Sequence, residues 1–313
     1  MSSTSLKIRI GTRASNLAMA QSLEVKNLLL AQNQFSEDQI EIVPITTSGD
    51  KIQDRNLADI GGKGLFIKEL EEALIQNKID IAIHSAKDVP PLLHEDTKIG
   101  AFTKRFDARD CLISKKFNSL KELPKGAIVG TSSARRKAIL LHLRPDLKIV
   151  NFRGNVDTRL NKIDKNDVDA SILALCGLQR LAKENSIKEI IAVETMLPSG
   201  GQGSLAIQIR KNDENILNVI KQINDEKSQI CLETERVFLK ELGASCATPV
   251  GVYAWLENGL LNLKTMILDY NGSELFETLQ IGKFDIESGA AIAIKAAIET
   301  KVEATELLKK ICN

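Results

Sequence analysis

The feature that most constrains the fold is the alternation of strand and helix patterns over the first two thirds of the 313-residue chain. Short apolar or alternating runs take turns with longer segments whose apolar residues recur at helical spacing. In order, these segments are LKIRIGT, NLAMAQSLEVKNLLLAQ, QIEIVPITT, KGLFIKELEEALIQNK and IDIAIHS. A β-α-β-α-β order predicts a parallel sheet with helices on both faces. The chain therefore begins with an α/β unit.

A second α/β unit and a smaller third domain are predicted to follow. The strands ARDCLISKK, AIVGTSS, LKIVNFRG and DASILAL alternate with the helices ARRKAILLHL and VDTRLNKI. The Gly-rich LPSGGQGSLAIQIR then breaks the pattern. After it, the helix ETERVFLKELG, the strands VYAWLE, LNLKTMILD and ELFETLQI, and the helical AAIAIKAAIETKVEATELLKKI indicate an α+β domain. The predicted domains are 1–104 with 201–222, 105–200, and 223–313.

Composition argues against several classes of function. A net charge of +1 and 4% aromatic residues supply neither the charge nor the stacking surface typical of nucleic-acid binding. No segment approaches the roughly 18 apolar residues of a membrane span, and MSSTSLKIRIGTR lacks the apolar region of a secretory signal. The five cysteines form no CxxC pair and have no metal-ligand spacing with histidine. We therefore expect a cytoplasmic protein with reduced thiols and without a metal, a membrane or a nucleic-acid partner.

Several arginines stand where a strand ends or a helix begins. They are Arg13, Arg135, Arg136, Arg153 and Arg159. Ser132 and Ser133 are candidate N-caps, and a cation in the following turn opposes the helix dipole at a cost of about 0.3–1 kcal/mol. A bound anion at the carboxyl edge of the sheet would offset that cost. The alternative is that each arginine pairs with a nearby acid on the surface.

Two further segments contain candidate reactive groups. The strand IDIAIHS leads to Lys87 and Asp88, which form either a working site or an ion pair with each other. Cys246 lies in the small-residue loop GASCATP and is a candidate nucleophile or attachment point, whereas Cys176 in ILALCGL is expected to be buried and inert. The GGKG segment at 61–64 lacks the P-loop pattern and is a candidate lid or hinge.

Nine segments together resemble the porphobilinogen deaminase family in order and approximate spacing. They are GTRASNLA, GGKGLFIKELEEAL, DIAIHSAKDVP, DARDCLIS, GTSSARRKAIL, RGNVDTRL, GLQRL, LPSGGQGSLAI and GASCATPVG. The resemblance implies three domains. The first two are doubly wound α/β domains like type II periplasmic binding proteins, with the active site between them, and the smaller third carries a loop cysteine.

The resemblance also implies an activity. Members of the family join four porphobilinogen molecules head to tail into hydroxymethylbilane, with loss of four ammonias. They do so on a dipyrromethane cofactor held by a thioether, and Cys246 matches the attachment position. Asp88 matches the catalytic aspartate that stabilises the cationic azafulvene, and the resemblance implies that Lys87 is the second catalytic residue. A monomer with porphobilinogen as its small-molecule partner is expected.

The remaining site residues also come from the resemblance. Because the pyrroles of the family carry carboxylates, the resemblance implies that the arginines bind them. The implied cofactor-binding residues are Cys246, Ser85, Lys87, Asp88, Ser133, Arg135, Arg136, Arg159 and Gly177. The implied substrate-binding residues are Arg13, Ser15, Lys63, Phe66, Arg153, Arg180 and Gln202, with Lys63 and Phe66 on the lid. The chain departs from the common pattern at Ser204, at Gln208 and in GASCAT.

Two rival functions remain at the level of the sequence. One is a non-catalytic anion-binding protein of the periplasmic type, against which the third domain, its loop cysteine and the missing signal peptide argue. The other is a DNA-binding regulator with a related effector domain. A regulator would need a helix-turn-helix segment and positive charge, which the sequence lacks.

Overall fold

The computed structural model describes residues 7–47, 67–245 and 247–311. The strands are β1 (Ile8–Arg13), β2 (Ile40–Ile45), β3 (Ile81–Ser85), β4 (Thr97–Phe102), β5 (Asp110–Ser114), β6 (Ile128–Gly130), β7 (Lys148–Val150), β8 (Ala170–Ala174), β9 (Ile187–Ile190), β10 (Leu205–Arg210), β11 (Val250–Glu257), β12 (Leu260–Leu268) and β13 (Leu275–Lys283). The α-helices are α1 (Asn16–Leu30), α2 (Lys68–Ile75), α3 (Ala134–Leu143), α4 (Val156–Asp164), α5 (Leu175–Arg180), α6 (Glu214–Ile220), α7 (Glu226–Leu242), α8 (Ile286–Glu303) and α9 (Thr305–Ile311). No helix in these ranges is long and apolar enough to cross a membrane.

The chain divides into two compact units. Unit 1 comprises Met1–Arg105 and Ser204–Gln229, and unit 2 comprises Phe106–Gly203 and Ile230–Asn313. Unit 2 contains two sheets that share apolar contacts, because Met266 and Leu268 of β12 pack in the same core as Leu140 of α3. The three-domain division expected from the sequence stays a prediction.

The sheet of unit 1 has the strand order β2-β1-β3-β10-β4. β1 is parallel to β2 and β3, as predicted, but β10 is antiparallel to both of its neighbours, so the sheet is mixed. The Gly-rich segment that breaks the pattern ends in this strand, Leu205–Arg210. β10 is buried except for its last residue, and a central strand of this kind lacks the alternation that marks a half-exposed one.

The first sheet of unit 2 has the order β7-β6-β8-β5-β9. β6 is parallel to β7 and β8, whereas β5 is antiparallel to β8 and β9. The second sheet is the antiparallel β11-β12-β13, and its core includes residues of α7 and α8. These elements confirm the predicted α/β class with a smaller C-terminal α+β region.

Two predicted helices differ from the structure in their bounds. α7 begins at Glu226, seven residues before the predicted start at Glu233. The last helical stretch begins at Ile286 rather than in the alanine run, because Asp285 is its N-cap and accepts a hydrogen bond from the Ser288 N–H. It is also interrupted at Ala304, which separates α8 from α9.

Candidate active site

In unit 1, the predicted site residues lie where the parallel strands β1 and β3 end. β1 ends at Arg13, and Ser15 caps α1 by accepting a hydrogen bond from the Ala18 N–H at 3.3 Å. β3 ends at Ser85, whose Oγ lies 2.7 Å from Nε2 of Gln21 on α1. Since β1 and β3 are parallel neighbours, these residues share the carboxyl edge of the sheet, where α/β proteins bind ligands.

A short 3₁₀ turn over Ala86–Asp88 follows β3 and carries the candidate catalytic pair. Ala86 and Val89 are buried and anchor this turn, whereas Lys87 is half-buried and Asp88 is exposed. The Ala86 N–H donates to the Ser204 carbonyl, which ties the turn to the start of β10. The backbone of the turn is thus anchored, and the Asp88 carboxylate on it is exposed to solvent.

His84, the buried neighbour of Ser85, is held in one protonation state. Its Nε2 lies 2.9 Å from Oε1 of Gln208, while Nε2 of Gln208 donates to Glu71 at 2.7 Å and to Thr97 at 2.8 Å. Because the Gln208 amide uses both hydrogens, its oxygen must accept, and His84 carries its hydrogen on Nε2. Burial lowers the pKa of His84 to about 4, and the charge of Arg13 acts in the same direction. The imidazole is therefore neutral at neutral pH.

In unit 2, each of the parallel strands β6, β7 and β8 is followed by predicted site residues. Ser133 caps α3 after β6, with its Oγ accepting from the Arg136 N–H at 3.4 Å, and Arg135 and Arg136 occupy the first turn. The residues after the other two strands are Arg153 after β7, Arg159 on α4, and Gly177 and Arg180 on α5. The N-cap predicted for Ser133 is confirmed, and the carboxyl edge of this sheet is rich in guanidinium groups.

Arg135 and Arg136 are buried, with 4% and 6% of their surfaces exposed, and both pair with Asp110, which is 0% exposed. Oδ2 of Asp110 lies 2.7 Å from Nη2 of Arg135, and Oδ1 lies 2.7 Å from Nη2 of Arg136. Burial alone raises the pKa of Asp110, but the charges and hydrogen bonds of the two arginines outweigh it and hold that pKa well below its usual range. The alternative of pairing with an acid thus applies to these two arginines, but in the core rather than on the surface.

The positive charge at this edge exceeds the charge of Asp110. Burial lowers the pKa of the half-buried Arg159, the charges of Arg136 and Arg153 act in the same direction, and together they bring it to about 10. The Nε atoms of Arg135 and Arg136 are buried and have no hydrogen-bond partner among the described residues. Guanidinium groups with unused donors and repelling charges fit a ligand that carries carboxylates, as the pyrroles of a dipyrromethane do.

The Gly-rich segment joins this cluster to the C-terminal region. Gly201 and Gly203 have φ of +79° and +107°, conformations that favour glycine. Between them, the buried Gln202 donates from Nε2 to the Ala108 carbonyl at 2.7 Å and to Oδ1 of Asp110 at 2.8 Å. The Gly201 N–H donates to Oε2 of Glu235 on α7 at 2.7 Å. The segment is therefore held by hydrogen bonds at both Gly201 and Gln202.

Arg180 is also held in place. Its guanidinium lies 4.4 Å from the centre of the Phe106 ring and donates to the Gly203 carbonyl at 3.1 Å. Both contacts orient a cation at the end of α5.

Three predicted site residues, Cys246, Lys63 and Phe66, lie outside the described residues, as does the GGKG segment. The described cysteines Cys111, Cys176 and Cys231 are buried, which confirms the burial predicted for Cys176. Burial raises the pKa of Cys111 to about 12, so this thiol is unreactive. Within the described ranges, no cluster of side chains could hold a metal ion.

Sequence reasoning missed two buried acids of unit 2. Asp110 begins the otherwise apolar DCLIS, and Glu235 lies among buried residues of α7. A carboxylate in an apolar element is a usable signal, since charged residues are rarely fully buried unless they are paired.

The fold and these residues are those of an α/β protein with an arginine-rich carboxyl edge suited to anions. Residues 8–218 match the model of the dipyrromethane cofactor-binding domain of porphobilinogen deaminase, and residues 229–301 match that of its C-terminal domain. The chain belongs to the porphobilinogen deaminase family, whose members are transferases of tetrapyrrole biosynthesis.

Individual relatives cover most of the chain. A porphobilinogen deaminase from Nitrobacter winogradskyi is 44% identical over 303 residues, which cover 97% of this chain and 95% of the relative. One from Orientia tsutsugamushi is 47% identical over 93% of this chain and 96% of its own length. A chloroplastic porphobilinogen deaminase from Oryza sativa subsp. japonica is 42% identical over 95% of this chain and 84% of its own length.

Solved structures of periplasmic-type binding proteins are more distant. A nutrient-binding protein from Burkholderia cenocepacia bound to methionine has a TM-score of 0.43 and 14% identity, over 69% of this chain and 90% of its own. A Salmonella typhimurium periplasmic binding protein with arginine specificity has a TM-score of 0.39 and 16% identity, over 72% and 94%. Likeness at this level carries no conclusion about the fold or the ligand of this chain.

Proposed function

We propose that the residues described above carry out the reaction of the family in this chain, the head-to-tail condensation of four porphobilinogen molecules with release of ammonia. The observation that carries the proposal is the charge imbalance at the carboxyl edge of unit 2. Arg135 and Arg136 are buried there around one buried carboxylate, Asp110, and the half-buried Arg159 lies close enough to Arg136 for their charges to repel. A protein core tolerates such an excess of cations where anionic ligands complete it.

The arginines of unit 2 bind the acetate and propionate carboxylates of the pyrrole rings. Each ring adds two carboxylates, so a lengthening product needs several cationic partners. A guanidinium offers two parallel donors that match a carboxylate, which explains arginine rather than lysine at these positions. The Nε groups of Arg135 and Arg136 have no hydrogen-bond partner among the described residues, and a bound carboxylate would supply one.

Asp88 supplies the negative charge that the reaction requires. As the amine of porphobilinogen leaves as ammonia, positive charge develops on the substrate, and a nearby carboxylate stabilises it. The same carboxylate helps to move a proton onto the leaving amine and to remove the proton from the pyrrole carbon that forms the new carbon–carbon bond. Lys87, the neighbour of Asp88 in the same turn, orients the substrate or the carboxylate.

The dipyrromethane, when bound, supplies the pyrrole carbon on which the chain is extended. Cys246 would hold it through a thioether, because a thiolate adds readily to the electrophilic methylene carbon of a pyrrole. Arg135, Arg136 and Arg159 would bind its carboxylates, with Ser85, Ser133 and Gly177 beside it. Porphobilinogen would contact the substrate-binding set of Arg13, Ser15, Lys63, Phe66, Arg153, Arg180 and Gln202.

We further propose that the protein acts as a monomer in the cytoplasm. The buried thiols of Cys111 and Cys176, which form no disulfide, support a reducing compartment. Light scattering of the purified protein should give the mass of one chain, and a larger mass would contradict the monomer.

The test combines intact-protein mass spectrometry with porphobilinogen turnover, measured as porphyrin absorbance after acid oxidation. The wild type should carry the added mass of two pyrrole units and consume porphobilinogen. Cys246→Ser should lack the added mass, whereas Cys231→Ser, a matched change of a buried thiol, should keep it. A wild type without added mass would overturn the attachment.

Asp88→Asn forms the second arm of the same test. This variant should fold and keep the added mass but lose turnover by about 100-fold or more, the scale of a lost proton-transfer group. Asp96→Asn changes an exposed aspartate of the same unit and should stay close to wild type. Retention of most turnover by Asp88→Asn would show that this carboxylate is not the catalytic group.

A further inference from the structure

Asp110 joins three residues that the sequence assigns to the site. Its carboxylate accepts hydrogen bonds from Nη2 of Arg135 and Nη2 of Arg136, each at 2.7 Å, and from Nε2 of Gln202 at 2.8 Å. The direction of β5 makes this contact available. Because β5 is antiparallel to β8, its first residue pairs with Ala174, the last residue of β8, and so lies at the carboxyl edge.

A second contact completes the fixation of each arginine. Nη1 of Arg135 donates to the Leu197 carbonyl at 2.7 Å, and Nη1 of Arg136 donates to the Ile172 carbonyl at 3.0 Å. A planar guanidinium that is bonded at two nitrogens to two different groups cannot rotate about its axis. The remaining Nε donors, which have no partner among the described residues, therefore point in set directions.

The charges lead to the same conclusion as the hydrogen bonds. One carboxylate shared by two guanidiniums leaves one positive charge at a place from which water is largely excluded. A second buried acid would cancel that charge, and the absence of any acid would leave two mutually repelling cations. Asp110 thus keeps both arginines in the fold while leaving net attraction for an anionic ligand.

We infer that Asp110 is a positioning residue, which orients Arg135, Arg136 and Gln202 for the carboxylates of the cofactor and the growing chain. The inference rests on the proposed function. Asp110 itself touches no substrate in this scheme, because both of its oxygens are occupied by the residues that it orients. Its effect should therefore fall on the binding of carboxylates rather than on the chemical step.

The test compares Asp110→Glu with Asp110→Asn in the full-length protein. Asp110→Glu keeps the charge but displaces the two oxygens by one methylene, whereas Asp110→Asn keeps the shape but removes the charge and places N–H groups against donors. Asp146, which pairs with Arg144 through two hydrogen bonds of 2.8 Å on the surface of the same unit, provides the matched controls Asp146→Glu and Asp146→Asn. The readouts are the fraction of protein with pyrrole mass, Tm, and KM and kcat per loaded enzyme.

Both Asp110 variants should carry less pyrrole mass, and the loaded fraction should show a KM for porphobilinogen raised about tenfold or more, the scale of a misdirected charged hydrogen bond. The kcat per loaded enzyme should change by less than about threefold, because the chemical step does not use Asp110. The Asp146 controls should load fully and keep the wild-type KM.

Several outcomes would overturn the inference. Full loading and unchanged KM at lowered Tm would make Asp110 a structural counter-ion only. A lower KM in Asp110→Asn would show that Asp110 opposes ligand binding, and failure of both variants to fold would show a purely structural requirement. Failure of the proposed function looks different, since the wild type itself would then lack pyrrole mass and turnover.

Discussion

Asp80 in unit 1 and Asp110 in unit 2 each pair with two arginines, yet the two clusters differ in charge balance. Asp80 accepts hydrogen bonds from Nε and Nη2 of Arg9 at 2.9 and 2.8 Å and lies 3.2 Å from Nη2 of Arg210. Arg210 also pairs with Asp213 at 2.6 Å, so two acids face two arginines. Among the described residues, Asp110 is the only acid paired with its two arginines. Both aspartates are buried, but Arg135 and Arg136 are buried as well, whereas the Arg9 side chain is 37% exposed.

The two clusters also occupy opposite kinds of sheet edge. Asp80 immediately precedes β3 and therefore lies at the amino edge of the parallel strands of unit 1. Asp110 lies at the carboxyl edge of the parallel strands of unit 2, where ligands bind in α/β proteins. The charges of the Asp80 cluster cancel at an amino edge, so we interpret this cluster as structural. A positive charge remains in the Asp110 cluster at a carboxyl edge, so that cluster is suited to binding anions.

The largest expected effect is the difference in turnover between a variant of Arg136 and a variant of Arg210, one arginine from each cluster. Arg136→Gln should lower porphobilinogen turnover by about 100-fold or more and should cost about 3–5 kcal/mol of unfolding free energy, since it leaves Asp110 with one partner fewer in the core. Arg210→Gln removes an arginine of the balanced cluster and should keep at least about half of the turnover. Turnover and denaturant unfolding of both variants are the measurements.

Equal losses of turnover in the two variants would contradict the distinction between the two clusters. Such a result would mean that stability alone, rather than the placement of the positive charge, decides activity. Turnover per folded, cofactor-loaded molecule separates the two explanations.

Acid should affect the two units differently, with an effect of intermediate size. Burial lowers the pKa of His84 in unit 1 to about 4, below its ordinary 6.5. Because the unfolded state binds a proton at higher pH than the folded state does, stability is present above about pH 6.5 and falls as the pH drops toward 4, by about 3 kcal/mol in total. Asp110 stays charged throughout this window, because its arginines hold its pKa well below the usual range.

The measurement is denaturant unfolding of the wild type and of His84→Gln at pH 7 and about pH 4. The glutamine keeps an N–H donor for Gln208 and does not titrate, so most of the loss between the two pH values should disappear in the variant. An equal pH dependence in both proteins would show that other groups control the acid response.

Much of the fold follows from patterns in the sequence, and the exceptions have one cause. Alternating segments predict the parallel strands of both units, and Ser133 and Asn155 mark the starts of α3 and α4. Strand direction has no such local signal, because β5 and β10 contain the same apolar residues whether their neighbours are parallel or antiparallel. The mixed character of both sheets was therefore beyond prediction from periodicity.

The same cause explains what was missed in the candidate site. Arginines and caps after strands are visible in the sequence, and Arg135 and Arg153 lie after parallel strands as expected. Asp110 stands before a strand, and in a parallel strand it would lie at the opposite edge from them. Only the antiparallel direction of β5 brings this acid to the arginines, and that direction is a property of the tertiary structure.

The smallest effect should come from Asp80→Asn. This variant weakens the charge-balanced Asp80 cluster and leaves the Asp110 cluster unchanged. Burial by itself raises the pKa of Asp80, but the hydrogen bonds and charge of Arg9 and a hydrogen bond from Arg210 lower it, so the carboxylate is ionised and stabilises the fold. An asparagine still accepts one of these hydrogen bonds, and the partly exposed Arg9 can turn to water. The cost should be about 1–2 kcal/mol of unfolding free energy. Cofactor loading and KM should match the wild type, because no ligand carboxylate depends on this edge. A raised KM at unchanged stability would show that the amino edge of unit 1 also contributes to ligand binding and that charge balance does not separate the two clusters.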